Sequence, residues 1–514
     1  MVDGDEAKAS HAGRRSGLTY TNMVRYVISI DFAPRMVYTS TMRYDVVIVG
    51  GGVVGCAIAW RLSFTTASVA LIEAAHDVGE GASKGNTGIA TCGADCVPDT
   101  LEAELVTRSS PGWEGLCRSL DTPWRRMGTL AVAVTEEEER GLEHVQKQAR
   151  HNGCEAELVS GDAVRSLEPL VAPAARAAVH IPQDGIIDSL RLTVGYAELA
   201  ARNGVDVLTS ARVTGFDLDD GRIAGVQTAR GRVGAGYVVN AAGVEAGRVS
   251  ALAGGDEFRM WPRQGQYWLL DRELGRRFSK IVGGVPTPVT RGVYCVPTTN
   301  TSLLLGPTAV DTDYPGSRAV DASTLDGVFA AAERLVPAVR RDLAIKTFAA
   351  NRPAADPVYR IEADSGVANL VHAAGIRSTG VSSSPATAER VHDLLAAAGA
   401  PVLDDDASAM DALEPVPRLL GHSDPAALVA ADSRYGQVVC ACEQVTAAEI
   451  AAACAMRVPP RSLDALRKRT RATGGRCQGT VCLAGVSFLY SVHTGMRPWE
   501  IPMSEPEATL GVRS

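Results

Sequence analysis

The stretch that most limits how this chain can fold runs from Tyr44 to Glu73, YDVVIVGGGVVGCAIAWRLSFTTASVALIE. Val46 to Val49 is a short, uncharged, β-branched run, as expected of a parallel strand buried on both faces. Gly50, Gly52 and Gly55 follow at G-x-G-x-x-G spacing. The first glycine permits a tight turn, the second lets backbone approach a pyrophosphate, and the third lets a helix over Val53 to Leu62 lie close on the strand. That helix points its free N–H groups at the phosphates. Val69 to Ile72 reads as a second strand, and Glu73 ends it, 18 residues beyond Gly55. A carboxylate there takes both ribose hydroxyls of an adenosine and disfavours a 2′-phosphate, so NADP is not expected.

At 514 residues the chain has room for two or three domains. A net charge of −8 argues against general nucleic-acid binding. The most apolar candidate for a membrane span, Cys477 to Met496, is interrupted by Gln478, Ser487, Ser491, His493 and Thr494. Residues 1–43 mix Asp3, Asp5 and Glu6 with Arg14, Arg15, Arg25 and Arg35. They lack the apolar core of a secretory signal and read as a poorly ordered extension. Eleven cysteines are too few for a secreted disulfide scaffold of this length. The expected location is the cytoplasm, with peripheral contact at an inner membrane left open.

Beyond Glu73 lies DVGEGASKGNTGIATCG, Asp77 to Gly93, a loop able to offer backbone N–H groups and small hydroxyls to a ligand. With the opening motif it resembles the second signature of the D-amino-acid oxidase superfamily. The resemblance is to the branch that contains FAD-dependent glycerol-3-phosphate and L-2-hydroxyglutarate dehydrogenases. The resemblance implies FAD as cofactor, Ser83 and Asn86 near its pyrophosphate and ribityl chain, and Ile89 near the flavin. Thr91 stands where many relatives have histidine, so a role for that histidine does not carry over.

Further along, Gly128 to Val134 reads as a strand, the acids from Glu136 as a solvated helix start, and Ser189 to Asn203 as a helix. Asp220-Gly221 forms a hairpin turn between Val213–Leu218 and Ile223–Thr228. The strand Tyr237 to Asn240 ends in Ala241-Ala242-Gly243, small enough for close approach of a cofactor. By resemblance the Val213 backbone meets the adenine, and Ala242 and Gly243 close the FAD site. PRQGQYWLLD (Pro262 to Asp271) and VYCVPTTNTSLLLGPT (Val293 to Thr308) alternate as half-exposed strands do. Arg352, stiffened by Pro353, suits a carboxylate or phosphate held by two parallel hydrogen bonds, and in relatives the matching arginine faces the substrate. Arg263 is a second, weaker anion candidate. Val371 to Arg390 repeats strand, glycine turn and helix. Gly375 and Gly380 allow close approach, as in the family's last FAD motif.

Residues 401–432 are rich in Ala, Asp and Pro and read as a linker. Cys440-Ala441-Cys442 and Cys477 to Cys482 follow, a C-x-C and a C-x4-C separated by 34 residues. Four thiolates suit a [2Fe–2S] cluster or a structural zinc. Lys468, Arg469, Arg471 and Arg476 lie between or beside them, available to offset cluster charge. The spacing resembles the bacterioferritin-associated ferredoxin type of [2Fe–2S] domain.

The expected architecture is α/β. A Rossmann-like FAD domain over residues 44–400 carries an inserted mixed-sheet substrate part (about 124–182 and 260–346), followed by a small iron–sulfur domain over 433–514. A flavin and a one-electron cluster on one chain point to a dehydrogenase that passes electrons to a quinone or a partner subunit. By resemblance the substrate is a small anionic secondary alcohol, with glycerol 3-phosphate first, a 2-hydroxy acid such as L-2-hydroxyglutarate second, and an amino or imino acid third. A non-catalytic electron-transfer subunit is the alternative of another class. No catalytic base is identified, although His180 and His372 are available.

Overall fold

The computed structural model describes residues 42–286, 291–314, 316–404, 409–504 and 509–510. Nearly all of the expected N-terminal extension lies outside them, and Arg43 already belongs to the first strand, Arg43–Val49.

That strand pairs in parallel with Val69–Ile72 on one side and Gly231–Asn240 on the other. Asp206–Leu208 and Leu370–Ala374 extend the parallel core outward. The antiparallel meander Val213–Asp219, Arg222–Thr228 and Gly231–Asn240 completes most of an eight-stranded sheet. Its hairpin turn has Asp220 and Gly221 both at positive φ, 48° and 72°, the handedness that matches strand twist. Val46, Val47 and Ile48 are fully buried, each worth about 1.5–3 kcal/mol of apolar transfer. Helices Val53–Leu62, Ser189–Arg202 and Gly380–Ala397 pack over one face of the sheet. The first lies so close that a Cβ on Gly55 would come within 1.9 Å of the Gly50 carbonyl oxygen.

A nine-stranded sheet forms the second layer. Its longest pairing joins Met260–Leu270 to Ala344–Ala355 in antiparallel register. This sheet, expected as the substrate part, therefore runs to Ala355, past the expected limit near residue 346, because the two strands stay paired along nearly their whole length. Residues 124–182, expected in the same part, supply Thr129–Ala133, Glu157–Ser160 and Ala177–Ile181 to this sheet.

Residues 401–432, expected as a linker, lie strapped along the FAD domain in their described part. Leu413 N–H donates to Ser119 O at 2.8 Å, Arg418 pairs with Asp121 at 3.4 Å, and Pro425–Ala431 is helical. Beyond them, a two-stranded ribbon (Val438–Cys440, Val445–Thr446) and helices Ala447–Cys454, Leu463–Thr470 and Leu483–Thr494 form a small module with its own core. Among the described residues no helix is long and apolar enough to cross a membrane.

Candidate functional site

One cavity of about 1940 Å³ runs between the two sheets. Pockets for drug-sized ligands span roughly 300–1,000 Å³, so this one has room for an extended cofactor and a small substrate together. Gly50, Gly52, Glu73, Ser83, Asn86, Ile89, Val213, Ala242, Gly243, Gly375 and Gly380 all line it. Gly55 does not, because its part is the tight helix–strand packing.

Gly50 adopts φ +112°, and a Cβ there would sit 2.4 Å from the Ala241 oxygen, so only glycine makes this turn. Ser83 Oγ accepts the Val53 N–H at 2.9 Å, at the start of the glycine-turn helix. Asn86 donates to Ser83 O and Ser189 Oγ at 2.8 and 3.0 Å, and its carbonyl accepts Gly88 N–H at 2.8 Å, which fixes the loop from within. Glu73, just past the second strand, accepts the N–H groups of Gly51 and Ala75, both at 2.7 Å, while burial pushes its carboxyl pKa up. Gly375 has φ +65°, and the helix beginning at Gly380 opens into the same space. A glycine turn, a polar loop and two helix N-termini facing one elongated cavity fit a dinucleotide.

The second sheet brings the run Lys346 to Pro353 of one strand to this cavity, including Phe348, Ala350 and Arg352. Phe348 stacks on Tyr267, with centroids 4.8 Å apart and planes 10° apart. Arg352 donates to three backbone carbonyls: Arg263 O at 3.2 Å, Gln264 O at 3.4 Å, and Thr308 O. It has no carboxylate partner among the described residues, and burial lowers its pKa. The weaker candidate Arg263 is different. Its guanidinium is held by both oxygens of Asp311, at 2.5 and 2.7 Å, so its charge is already answered.

Arg377 was not singled out in the sequence, and it lines the cavity beside Gly375. Its guanidinium has neither an ion-pair nor a hydrogen-bond partner among the described residues, and burial lowers its pKa. Its place inside the last glycine motif was the available signal. Asp184 was also missed. It is buried, accepts Cys92 N–H and Thr129 Oγ–H, both at 2.7 Å, and burial raises its pKa to about 6. Thr91 lines the cavity and donates its N–H to Ser382 Oγ at 3.1 Å. Neither His180 nor His372 reaches the cavity. His372 is sealed between Asp364 (2.8 Å) and Asn240 (3.3 Å), and His180 sits behind Gly128.

In the C-terminal module Cys440 and Cys482 form one interacting thiol pair, and Cys442 and Cys477 another. Backbone N–H groups of Val481 and Gly479 point at the Cys477 sulfur and lower its pKa. Gln478 and Gly479, at φ +47° and +91°, curl the backbone to aim them. Four thiols on two loops, with backbone N–H donors to the Cys477 sulfur, fit a thiolate-held [2Fe–2S] cluster.

The basic residues go elsewhere than expected. Lys468 pairs with Asp77 (2.7 Å) and Glu80 (2.6 Å), and Arg469 pairs with Asp77, all in the FAD-side loop. Arg471 pairs with Glu443 at 3.2 Å, and Arg476 is exposed. Three of the four are thus committed to carboxylates, two of them to fastening the module onto the FAD domain.

Comparison with known proteins agrees with this geometry. Residues 45–394 match the FAD dependent oxidoreductase family, and residues 438–488 match the BFD-like [2Fe-2S] binding domain. The chain is 31% identical over 462 residues to a glycerol 3-phosphate dehydrogenase of Caloramator mitchellensis, covering 89% of this chain and 96% of that one. It is 26% identical over 500 residues to an anaerobic glycerol-3-phosphate dehydrogenase subunit of Escherichia coli (strain K12), covering 89% and 90%. Among solved structures, the dithionite-reduced L-alpha-glycerophosphate oxidase of Mycoplasma pneumoniae with FAD bound superposes with a TM-score of 0.66. It shares 28% identity and covers 69% of this chain and 95% of that one.

Proposed function

The chain belongs to the FAD dependent oxidoreductase family and carries a [2Fe–2S] domain, and on that premise we propose that it dehydrogenates glycerol 3-phosphate. The observation that carries the reading is the pair Arg352 and Arg377, two cations on one cavity without carboxylate partners among the described residues. Two guanidinium groups suit a dianionic phosphate, which offers three oxygens to paired N–H donors. The names of the relatives support the same substrate class.

Bound FAD supplies the hydride acceptor and the cluster a one-electron carrier. The chain's own residues do the rest. Gly50, Gly52 and the helix N-terminus after them receive the pyrophosphate, with Ser83 and Asn86 beside it. Glu73 takes the ribose hydroxyls, Val213 the adenine edge, and Ala242 and Gly243 leave backbone room. Gly375 and Gly380 admit the ring system, with Ile89 against it. Arg352, fixed by three carbonyls, sets the substrate's position in advance, and Arg377 closes on the phosphate. Cys440, Cys442, Cys477 and Cys482 would hold the cluster, which would supply a one-electron exit toward a quinone or a partner subunit.

Steady-state turnover of the loaded protein with an artificial acceptor tests this reading. Glycerol 3-phosphate should turn over, whereas glycerol, which lacks the phosphate, and L-2-hydroxyglutarate should not. Preference for L-2-hydroxyglutarate would move the substrate to the 2-hydroxy acids.

A further inference from the structure

The cavity has a second cationic end, at the seam between the substrate sheet and the cluster module. Lys346 lines it together with Lys84, Arg467 and Arg471, the last two from the cluster module. Three of these cations already share carboxylates. Asp464 serves Lys84, at 2.9 Å, and Arg467, and Glu80 serves Lys84 and Lys468, both at 2.6 Å. Glu443, 2% exposed, serves Arg471 at 3.2 Å and also Arg272 at 2.6 Å. Lys346 has no carboxylate or hydrogen-bond partner for its ammonium among the described residues. Burial, with Arg467, Arg471 and Lys84 around it, brings its pKa down to about 8. The seam therefore holds more positive charge than its acids answer.

This end is separate from the arginine end. Lys346 and Arg352 lie six residues apart on one strand, or about 20 Å at ~3.3 Å per residue. No three-carbon phosphate spans that distance. The seam lies beside the cofactor loop, which brings Lys84 to it. That loop meets this strand at Ala350, where a Cβ on Gly85 would lie 2.2 Å from the Ala350 Cβ, about 13 Å along the strand from Lys346.

We propose that Lys346, Arg467 and Arg471 form a second anion site, complete only when the cluster module is docked, which takes a small phosphate-bearing anion. Lysine supplies a point charge and the two arginines supply planar N–H donors, the mixture found where phosphate oxygens are held. Because the site draws on both modules, its ligand also ties them together, and occupancy stabilises the seam.

The test is calorimetric titration of inorganic phosphate into FAD- and cluster-loaded protein, comparing Arg352→Ala with Arg352→Ala/Lys346→Gln. A phosphate site that survives Arg352→Ala and weakens by about tenfold or more in the double variant, with FAD content unchanged, is the expected result. Absence of any phosphate site in folded Arg352→Ala overturns the proposal, as does unchanged binding in the double variant. Loss of FAD from folded Lys346→Gln also overturns it, since the cofactor's own phosphates would then occupy the seam. If the double variant does not fold, Arg352→Ala/Arg471→Gln gives the same reading.

Discussion

Arg469 of the cluster module and Asp77 of the cofactor loop form a two-pronged buried pair, Nη1 to Oδ2 at 2.8 Å and Nη2 to Oδ1 at 3.0 Å. Asp77 lies four residues beyond Glu73, so the module grips the loop that leads away from the proposed ribose-binding acid. The electron-carrying module is thereby fixed against the flavin domain.

Removing one member of that pair leaves a buried charge without its partner. Arg469→Ala should destabilise the protein by about 3–5 kcal/mol and weaken FAD retention, read by denaturation and by flavin fluorescence. Burial alone would raise the Asp77 pKa, but Arg469 and Lys468 overcome it and hold it at about 2. Its stabilising contribution is therefore complete above the unfolded value of about 3.9 and is lost as pH falls through about 2. Asp77→Asn should flatten the acid limb of the stability profile.

Arg377 bears no structural hydrogen bonds through its guanidinium among the described residues, so Arg377→Ala should raise KM for glycerol 3-phosphate by about 10- to 100-fold and leave the melting temperature near that of the parent. Arg352→Ala should raise KM similarly and also lower the melting temperature, because three part-buried carbonyls lose this donor. Equal thermal effects in the two variants would contradict the division of roles.

Asp184 gives the opposite pH dependence. Burial lifts its pKa to about 6, above about 3.9 in the unfolded chain. The stability from its bound proton is full below about pH 3.9 and is lost as pH rises through about 6, an effect of up to about 3 kcal/mol. Asp184→Asn should flatten the pH dependence of urea unfolding between these limits.

Cys440→Ser and Cys477→Ser should each abolish the iron–sulfur absorbance and lower bound iron. FAD should remain at full occupancy, because no cysteine of the cluster set lines the cavity. Retention of stoichiometric zinc, with no iron bound by the parent protein, would overturn the two-iron assignment.

The glycine turn and the polar loop were legible in the sequence because their chemistry is local: Gly50 must turn, and Ser83 must reach a nearby helix. The two cysteine motifs were legible as spacing, but the fold pairs them crosswise, Cys440 with Cys482 and Cys442 with Cys477. Arginine availability was not legible. Arg263 is answered by Asp311, 48 residues away, whereas Arg377 is left without a carboxylate among the described residues. Only the fold decides which guanidinium meets an acid. The same holds for Lys468 and Arg469, whose partners Asp77 and Glu80 are almost four hundred residues distant. The strap formed by the described part of residues 401–432 was misleading for a related reason. Its composition is that of a linker, and its anchoring bonds to Ser119 and Asp121 are contributed by other elements.

The central claim is that this flavoprotein takes electrons from glycerol 3-phosphate and hands them to its own cluster. An anaerobic absorbance titration of the loaded protein tests it most directly. The account predicts that glycerol 3-phosphate bleaches the flavin band and that the iron–sulfur absorbance then falls. A flavin that stays oxidised under excess glycerol 3-phosphate, while dithionite reduces both centres, would contradict it.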